Sequence, residues 1–408
     1  MGALTLDLRP GAGLGAFNLG MPVCEALAYV EQHRSIFDIV HIKYHDEEPL
    51  LVDLVLSFPD HGFHLRFEPR TQRLRLIEVF DIQLLQMRYA TSSIGGPSIA
   101  ATFVAVYALF GPTFPGTYDK KRCIYTLFYP GLSFAFPIPD RYTDCCQDRE
   151  AELPLEFPDG TTPVMSRVCI YDSAISGGGG TTGGVGVGVG ASLKKAMPPQ
   201  LPLGSLYMEE VHVKLAEELY FTGGGQHLPF GASPQDVWAE LGRPCAINQK
   251  QVDPMVIHSA SDPKPKTALC GDYFYNYFAR GLDILFDGQT HRIKKFVLHT
   301  NFPGHTEFNC YIKCNFFIHC SPSTGEHADE HSVPGSNSHD SEYCITADTK
   351  WHQVQELLGD GGRAAIQTQG SVSNPFGPTF VYGYRNIALE VMKNGHVATV
   401  TLFQTSLA

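Results

Sequence analysis

The chain has 408 residues, 43% hydrophobic and 18% charged, enough apolar content to bury a sizeable core and unlike a disordered or collagen-like chain. A formal net charge of −12 and an isoelectric point near 5.8 argue against a nucleic-acid binder, which carries a basic face. No run reaches the roughly 18 apolar residues of a membrane span. The N-terminus lacks the charged start of a signal peptide, so the reading is a cytoplasmic protein whose eleven cysteines are reduced.

From the N-terminus, Val23, Ala26, Leu27 and Val30 follow Gly20-Met21-Pro22 with the i, i+3, i+4, i+7 spacing of one helix face. A hairpin pattern comes next, out along Gly62 to Glu68 and back along Arg73 to Val79. The helical stripe returns at Phe103, Val106, Tyr107 and Phe110 before Gly111-Pro112, and a strand pattern at Gly131 to Phe136. Residues 151–226 read as strands without a helix, interrupted by Gly177 to Gly190, a flexible loop by composition. The third helix has the clearest signals. Ser233 can cap it, Pro234 suits its first position, Asp236 completes a capping box and Gly242 ends it. Behind it come the aromatic run Tyr273 to Phe278, a hairpin from Gly281 to Leu298, an extended stretch from Asn309 to Phe317, and an exposed loop at 321–347. The last helix carries Trp351, Val354 and Leu358 before Gly359. Strands at Asn386 to Val391 and Val397 to Leu402 flank an Asn394-Gly395 turn.

One unit thus recurs four times: a helix, then an antiparallel meander. Across nineteen aligned positions of the first and third units, Gly62/Gly281, Phe67/Phe286, Thr71/Thr290 and Arg73/Arg292 are identical. The predicted fold is α+β, a tandem array of helix-plus-meander units around a β-rich middle. Its units span 1–92, 93–150, 227–320 and 348–408, with the middle region at 151–226. The order helix, Leu-Gly-x-Pro, hairpin is similar to the small fold of bacterial outer-membrane assembly lipoproteins of the SmpA/BamE type, a likeness of fold that carries no function.

Candidate chemistry is sparse. The glycine run lacks the Gly-Lys-Ser/Thr ending of a phosphate loop, and Gly-x-Ser-x-Gly is absent. Cys310, Cys314 and Cys320 near His305 and His319 lack the close CxxC pairs of a zinc site, and Cys145-Cys146 lie in a polar run. No catalytic residue, cofactor or metal is assigned, and the rival reading of a Cys/His hydrolase or metal enzyme needs a pocket that joins a cysteine to a histidine. Arg73 and Arg75, and Lys294 and Lys295, lie on hairpin returns and make a possible headgroup patch, or a solvated strand face that blunts edge pairing. The aromatic density at 273–278 suits a partner surface if half of it faces solvent.

The block Gly271 to Phe278, Gly281 to Asp287 and Phe296-Val297-Leu298-His299-Thr300-Asn301-Phe302-Pro303-Gly304-His305 resembles the eukaryotic phagophore-assembly-factor family, also called MYTHO (macroautophagy and youth optimizer). So do Leu19 to Pro22, Gly131 to Phe134, Trp351 to Gly359, Asn374 to Gly377 and Glu390 to Met392, nearly the whole chain in order. The resemblance implies a non-enzymatic autophagy regulator. It would complex with a WD-repeat β-propeller protein of the breast-carcinoma-amplified-sequence type and join the phagophore assembly site, with phosphoinositides contacted through the propeller. Trans-Golgi vesicle traffic is the alternative. The family match and aromatic density place the partner surface at Tyr273, Phe274, Tyr275, Tyr277, Phe278, His299, Asn301, Phe302 and His305. Deleting Gly177 to Gly190 is expected to leave the melting temperature and partner co-purification nearly unchanged.

Overall fold

In the computed structural model the described residues are 4–113, 116–146, 153–173, 196–202, 204–250, 271–320, 344–359, 362–367 and 376–404. The glycine run 177–190, residues 321–343 and the side chains of Cys145 and Cys146 lie outside them. The chain divides into two compact units, Met1–Gln200 and Leu201–Ala408.

The first unit runs β1 (Leu4–Arg9), β2 (Gly13–Leu14), β3 (Phe17–Asn18), α1 (Val23–Gln32), β4 (His41–Lys43), β5 (Leu54–Phe58), β6 (Phe63–Glu68), β7 (Arg73–Val79), β8 (Leu85–Tyr89), β9 (Ser92–Gly95), α2 (Phe103–Phe110), β10 (Thr117–Asp119), β11 (Ile124–Tyr129), β12 (Leu132–Pro137) and β13 (Arg167–Tyr171). The second runs β14 (Glu210–Lys214), β15 (Glu218–Phe221), β16 (Gln226–Pro229), α3 (Pro234–Leu241), β17 (Ala246–Gln249), β18 (Tyr273–Tyr277), β19 (Leu282–Phe286), β20 (Ile293–His299), β21 (Asn315–His319), β22 (Cys344–Thr346), α4 (Trp351–Leu358), β23 (Ala365–Gln367), β24 (Thr379–Tyr384), β25 (Ile387–Val391) and β26 (Val397–Phe403).

The two units share one architecture. Each has a five-stranded sheet, in the orders β3-β2-β1-β8-β9 and β16-β15-β14-β21-β22. Each has an eight-stranded sheet, in the orders β10-β11-β12-β13-β7-β6-β5-β4 and β17-β18-β19-β20-β26-β25-β24-β23. The parallel pairing of β1 with β8 recurs in β14 with β21. The protein is mostly β, with four short helices among the described residues.

A helix followed by a four-stranded meander occurs four times, the second taking its last strand, β13, from beyond the expected 93–150, and the units do not stand alone. Two meanders join along β7 and β13, and two along β20 and β26, which removes an exposed edge from each. The chain therefore divides into two units, not into four with a separate middle region. The strands of 151–226 are shared out: β13 completes the first eight-stranded sheet, while β14 and β15 open the second unit. The end of the expected 321–347 loop is likewise strand. Ile345 pairs with Ile318 and is wholly buried.

Local chemistry explains the repeat. Ala26, Val106, Val237 and Val354 hold the same place in their helices, and each has no exposed surface. Ser233 and Asp236 form the predicted capping box, and Thr102 accepts from the Ala105 N–H in α2. Three helices end in glycine at φ/ψ of 75°/−173° (Gly111), 77°/−168° (Gly242) and 84°/−171° (Gly359). Each of these carbonyls accepts from a tyrosine at the end of the meander's second strand: Tyr129 at 2.8 Å, Tyr277 at 2.9 Å and Tyr384 at 2.6 Å. In the first meander Phe58 takes that strand position and stacks on Phe63, centroids 4.4 Å apart.

Gly62 and Gly281 each follow a short 3₁₀ turn in left-handed backbone, at φ 70° and 63°. A Cβ at Gly62 would lie 2.4 Å from the Asp81 carbonyl oxygen, and one at Gly281 would lie 2.4 Å from that of Ile312. Gly242 has nothing within 4 Å of its would-be Cβ. Gly281→Ala is therefore expected to destabilise the second unit by about 3 kcal/mol or more, from positive φ and backbone collision together. Tyr277→Phe should cost only about 1 kcal/mol, the worth of one hydrogen bond. Urea unfolding of the two variants beside wild type checks the order.

Candidate functional site

β19 reads Leu-Asp-Ile-Leu-Phe, and all five residues are buried. Leu282, Ile284 and Phe286 join the main core with residues of the five-stranded sheet and of α3 and α4. Alternation sends Asp283 to the opposite face. There a polar row crosses seven adjacent strands, made of Asn248, Asn276, Asp283, His299, Thr399, Glu390 and Thr379 from β17, β18, β19, β20, β26, β25 and β24. Asn276 pairs directly with Asp283, His299 with Thr399, and Thr399 with Glu390.

The segment 300–314 lies against this row and is fastened at two carboxylates. Asp283 accepts from Asn276 Nδ2 at 2.7 Å and from the Tyr311 hydroxyl at 2.8 Å, and its Oδ2 meets His299 Nε2 at 3.0 Å. The His299 ring stacks on Tyr311, centroids 3.7 Å apart and 3° from parallel, and its Nδ1 faces Glu307 at 3.4 Å. Burial pushes the His299 pKa down, but the carboxylates of Asp283 and Glu307, one on each ring nitrogen, outweigh it and hold the value above the usual 6.5. At the second fastening Glu390 accepts from Thr379 at 2.7 Å and Thr399 at 2.8 Å, and meets His305 Nε2 at 3.3 Å. Burial raises the Glu390 carboxyl, yet these three partners prevail and set its pKa at about 2. His305 Nδ1 accepts from the Glu307 N–H, so Nε2 carries the proton given to Glu390. Between the fastenings Phe302 is buried against His396, and Thr300 donates to the carbonyls of Val397 and Ala398. A shallow groove opens beside the second fastening, lined by His305, Phe376, Thr379, Glu390 and Lys393 among others.

The predicted partner block is thus mostly interior. Tyr275, Tyr277, His299, Asn301, Phe302 and His305 are buried, and Tyr273, Phe274 and Phe278 are half-buried. The residues of the predicted headgroup patch fall in different units. Arg73, in the first unit, donates to the carbonyls of Gly20 and Pro199. Arg75 pairs with Asp53 at 2.6 Å and donates to Ala196. Lys294, in the second unit, is exposed but paired with Asp287 at 2.7 Å, and Lys295 lies over the Phe403 ring. For the arginines the reason is position: β7 is a central strand buried along nearly its whole length, whereas alternating charge on a strand suggests an exposed face. The selection also missed Asp283, Glu307, Tyr311 and Glu390. A lone carboxylate inside an apolar strand, as in Leu-Asp-Ile and Leu-Glu-Val, was the available signal.

The network is suited to holding, not to proton transfer. A histidine with both nitrogens facing carboxylates has no lone pair for a nucleophile's proton. Burial raises the Cys24, Cys169, Cys314 and Cys344 thiols to about 11, 12, 12 and 11, the opposite of an activated thiolate.

The described residues thus form a duplicated, mostly antiparallel β scaffold with a segment strapped across one sheet. Sequence comparison sharpens this. Residues 13–403 match the family described as phagosome assembly factor 1. A PHAF1 protein of Arabidopsis thaliana is 67% identical over 405 residues, covering 99% of this chain and 94% of the relative. One of Drosophila melanogaster is 33% identical, covering 99% and 95%, and one of Caenorhabditis elegans 28%, covering 95% and 90%. The chain belongs to the phagosome assembly factor 1 family. No solved structure matches it, so the likeness to SmpA/BamE lipoproteins rests on element order alone.

The network implies two pH limits. His299, with its raised pKa, contributes stability that is complete below pH 6.5 and lost as pH rises through the folded value. Glu390 contributes stability present above pH 4.5 and lost as pH falls toward about 2. His299→Gln should flatten the alkaline limb of a chemical-denaturation profile. Glu390→Gln should flatten the acid limb, removing roughly 3 kcal/mol of pH-dependent stability. Profiles that keep both limbs would contradict the assignment.

Proposed function

We propose that this protein is a non-enzymatic autophagy regulator that complexes with a WD-repeat β-propeller protein and acts at the phagophore assembly site. The observation that carries the reading is the match to phagosome assembly factor 1 across nearly the whole chain. The fold agrees: two large β-sheet units offer broad surfaces, and the buried acid–imidazole groups serve to fasten a segment. Contact with phosphoinositides is supplied through the propeller. The half-buried members of the 273–278 block, Tyr273, Phe274 and Phe278, are the part of it proposed to reach the partner.

A role as a trans-Golgi trafficking adaptor is the second reading, and a tagged chain separates the two by where it resides. Affinity capture of the full chain from starved cells should enrich a β-propeller protein, and the tagged chain should collect in phagophore puncta. Capture without a propeller protein, together with residence at the Golgi, would reject the proposal.

A further inference from the structure

The four helices occupy equivalent places in four equivalent meanders, so each is a control for the others. α1 carries Glu25, Glu31 and Gln32, α3 carries Gln235, Asp236 and Glu240, and α4 carries His352, Gln353, Gln355 and Glu356. α2 reads Phe-Val-Ala-Val-Tyr-Ala-Leu-Phe and has no charged or amide side chain. Phe103 and Val106 are its buried residues, while Val104 is 42% exposed and Tyr107 41%. Val164 bridges to Thr102 at the start of α2 and is 50% exposed, and Ile99 just before the helix is 39% exposed. A surface helix without a polar outer face is unusual unless something apolar covers it.

The surrounding charge indicates what the cover is. From Thr91 to Pro139 the chain holds one carboxylate, Asp119, against Lys120, Lys121 and Arg122, with the exposed Asp140 next in the chain, in a protein of net charge −12. The three cations are exposed in the turn between β10 and β11. Phe103 packs edge-on against Phe136 at 5.5 Å, Phe136 pairs with Tyr125, and Tyr125 lies two residues beyond Cys123. The basic turn and the first turn of α2 therefore stand at the same end of the β11–β12 hairpin. Arg122 approaches Asp119 at 3.9 Å, and Asp159, five residues before the bridging Val164, is engaged by Arg141 at 2.6 Å. Glu156 of the same segment is an exposed carboxylate. Aliphatic side chains, a tyrosine suited to the headgroup level and a short basic cluster are the parts of an interfacial anchor.

We propose that the outer face of α2, with the Lys120–Arg122 turn beside it, docks directly on an anionic lipid surface, Val104 and Tyr107 entering the interface and the cations meeting headgroups. This contact goes beyond lipid recognition supplied by a propeller partner, and it is tested without one. The purified full chain is co-sedimented with phosphatidylcholine vesicles containing about 30 mol% phosphatidylserine, and with pure phosphatidylcholine vesicles. Binding is expected on the anionic vesicles only, weakening as salt is raised. Lys120→Glu and Lys121→Glu should each lower partitioning roughly five-fold or more. Val104→Glu should abolish it, with an unchanged thermal transition showing that the fold is intact. Val104→Trp should tighten it, with the variant remaining in the supernatant when vesicles are left out. No binding to anionic vesicles, equal binding to neutral ones, or variants that partition like wild type would overturn the proposal. So would α2 substitutions that release a β-propeller protein while vesicle binding was never present, since the face would then belong to a protein.

Discussion

The antiparallel seams β7·β13 and β20·β26 are the constraint on which the rest of the structure depends. A four-stranded meander with one helix leaves an edge and a face open to water. Joined along a seam, two meanders become an eight-stranded sheet whose middle strands are edges no longer. Those strands acquire the burial of a core on one face and of covering segments on the other. Arg75 with Asp53 in the first unit, and His299 with Asp283 in the second, are consequences. Charges at the middle of such a sheet survive only when paired and hydrogen-bonded, and both sets are.

The duplication shows how one framework was used in two ways. In the first unit the position of Asp283 is held by His64, and that of His299 by Phe80, and their rings lie 4.3 Å apart. Residues 80–84 suffice there to reach β8, whereas the second unit spends residues 300–314 between β20 and β21. The longer connection needs attachment, and the acid–imidazole pair provides it. The hairpin turns, by contrast, are the same device twice. Glu68 accepts from the N–H groups of Arg70 and Thr71, and Asp287 from those of Gln289 and Thr290.

Local signals were legible in the sequence. The Ser233–Asp236 cap, the closing glycines of three helices and the Gly62 to Val79 hairpin stand where spacing placed them, because each is determined within a few residues. Pairing across long separations was not legible. Nothing near Val79 announces that it pairs with Val168, so the middle region looked separate and the units looked independent. The same gap misled the reading of the site. His299, Asn301, Phe302 and His305 were singled out as a block, but their burial follows from strands β25 and β26 almost a hundred residues later. The attachment of this segment to the sheet through Asp283 and Glu390 is visible only in the fold.

The seam also sets an order of assembly during synthesis. The meander β4 to β7 has every partner it needs within residues 41–79 and can form while the chain is still being made. Its outer strand β7 then waits, one edge unpaired, until β13 has left the ribosome some ninety residues later. The second unit repeats the delay between β20 and β26, over a hundred residues. Contacts of such separation are slow to close, and an open strand edge invites the wrong neighbour. A chain emerging from the ribosome thus has two strand edges, at β7 and β20, whose partners are made last.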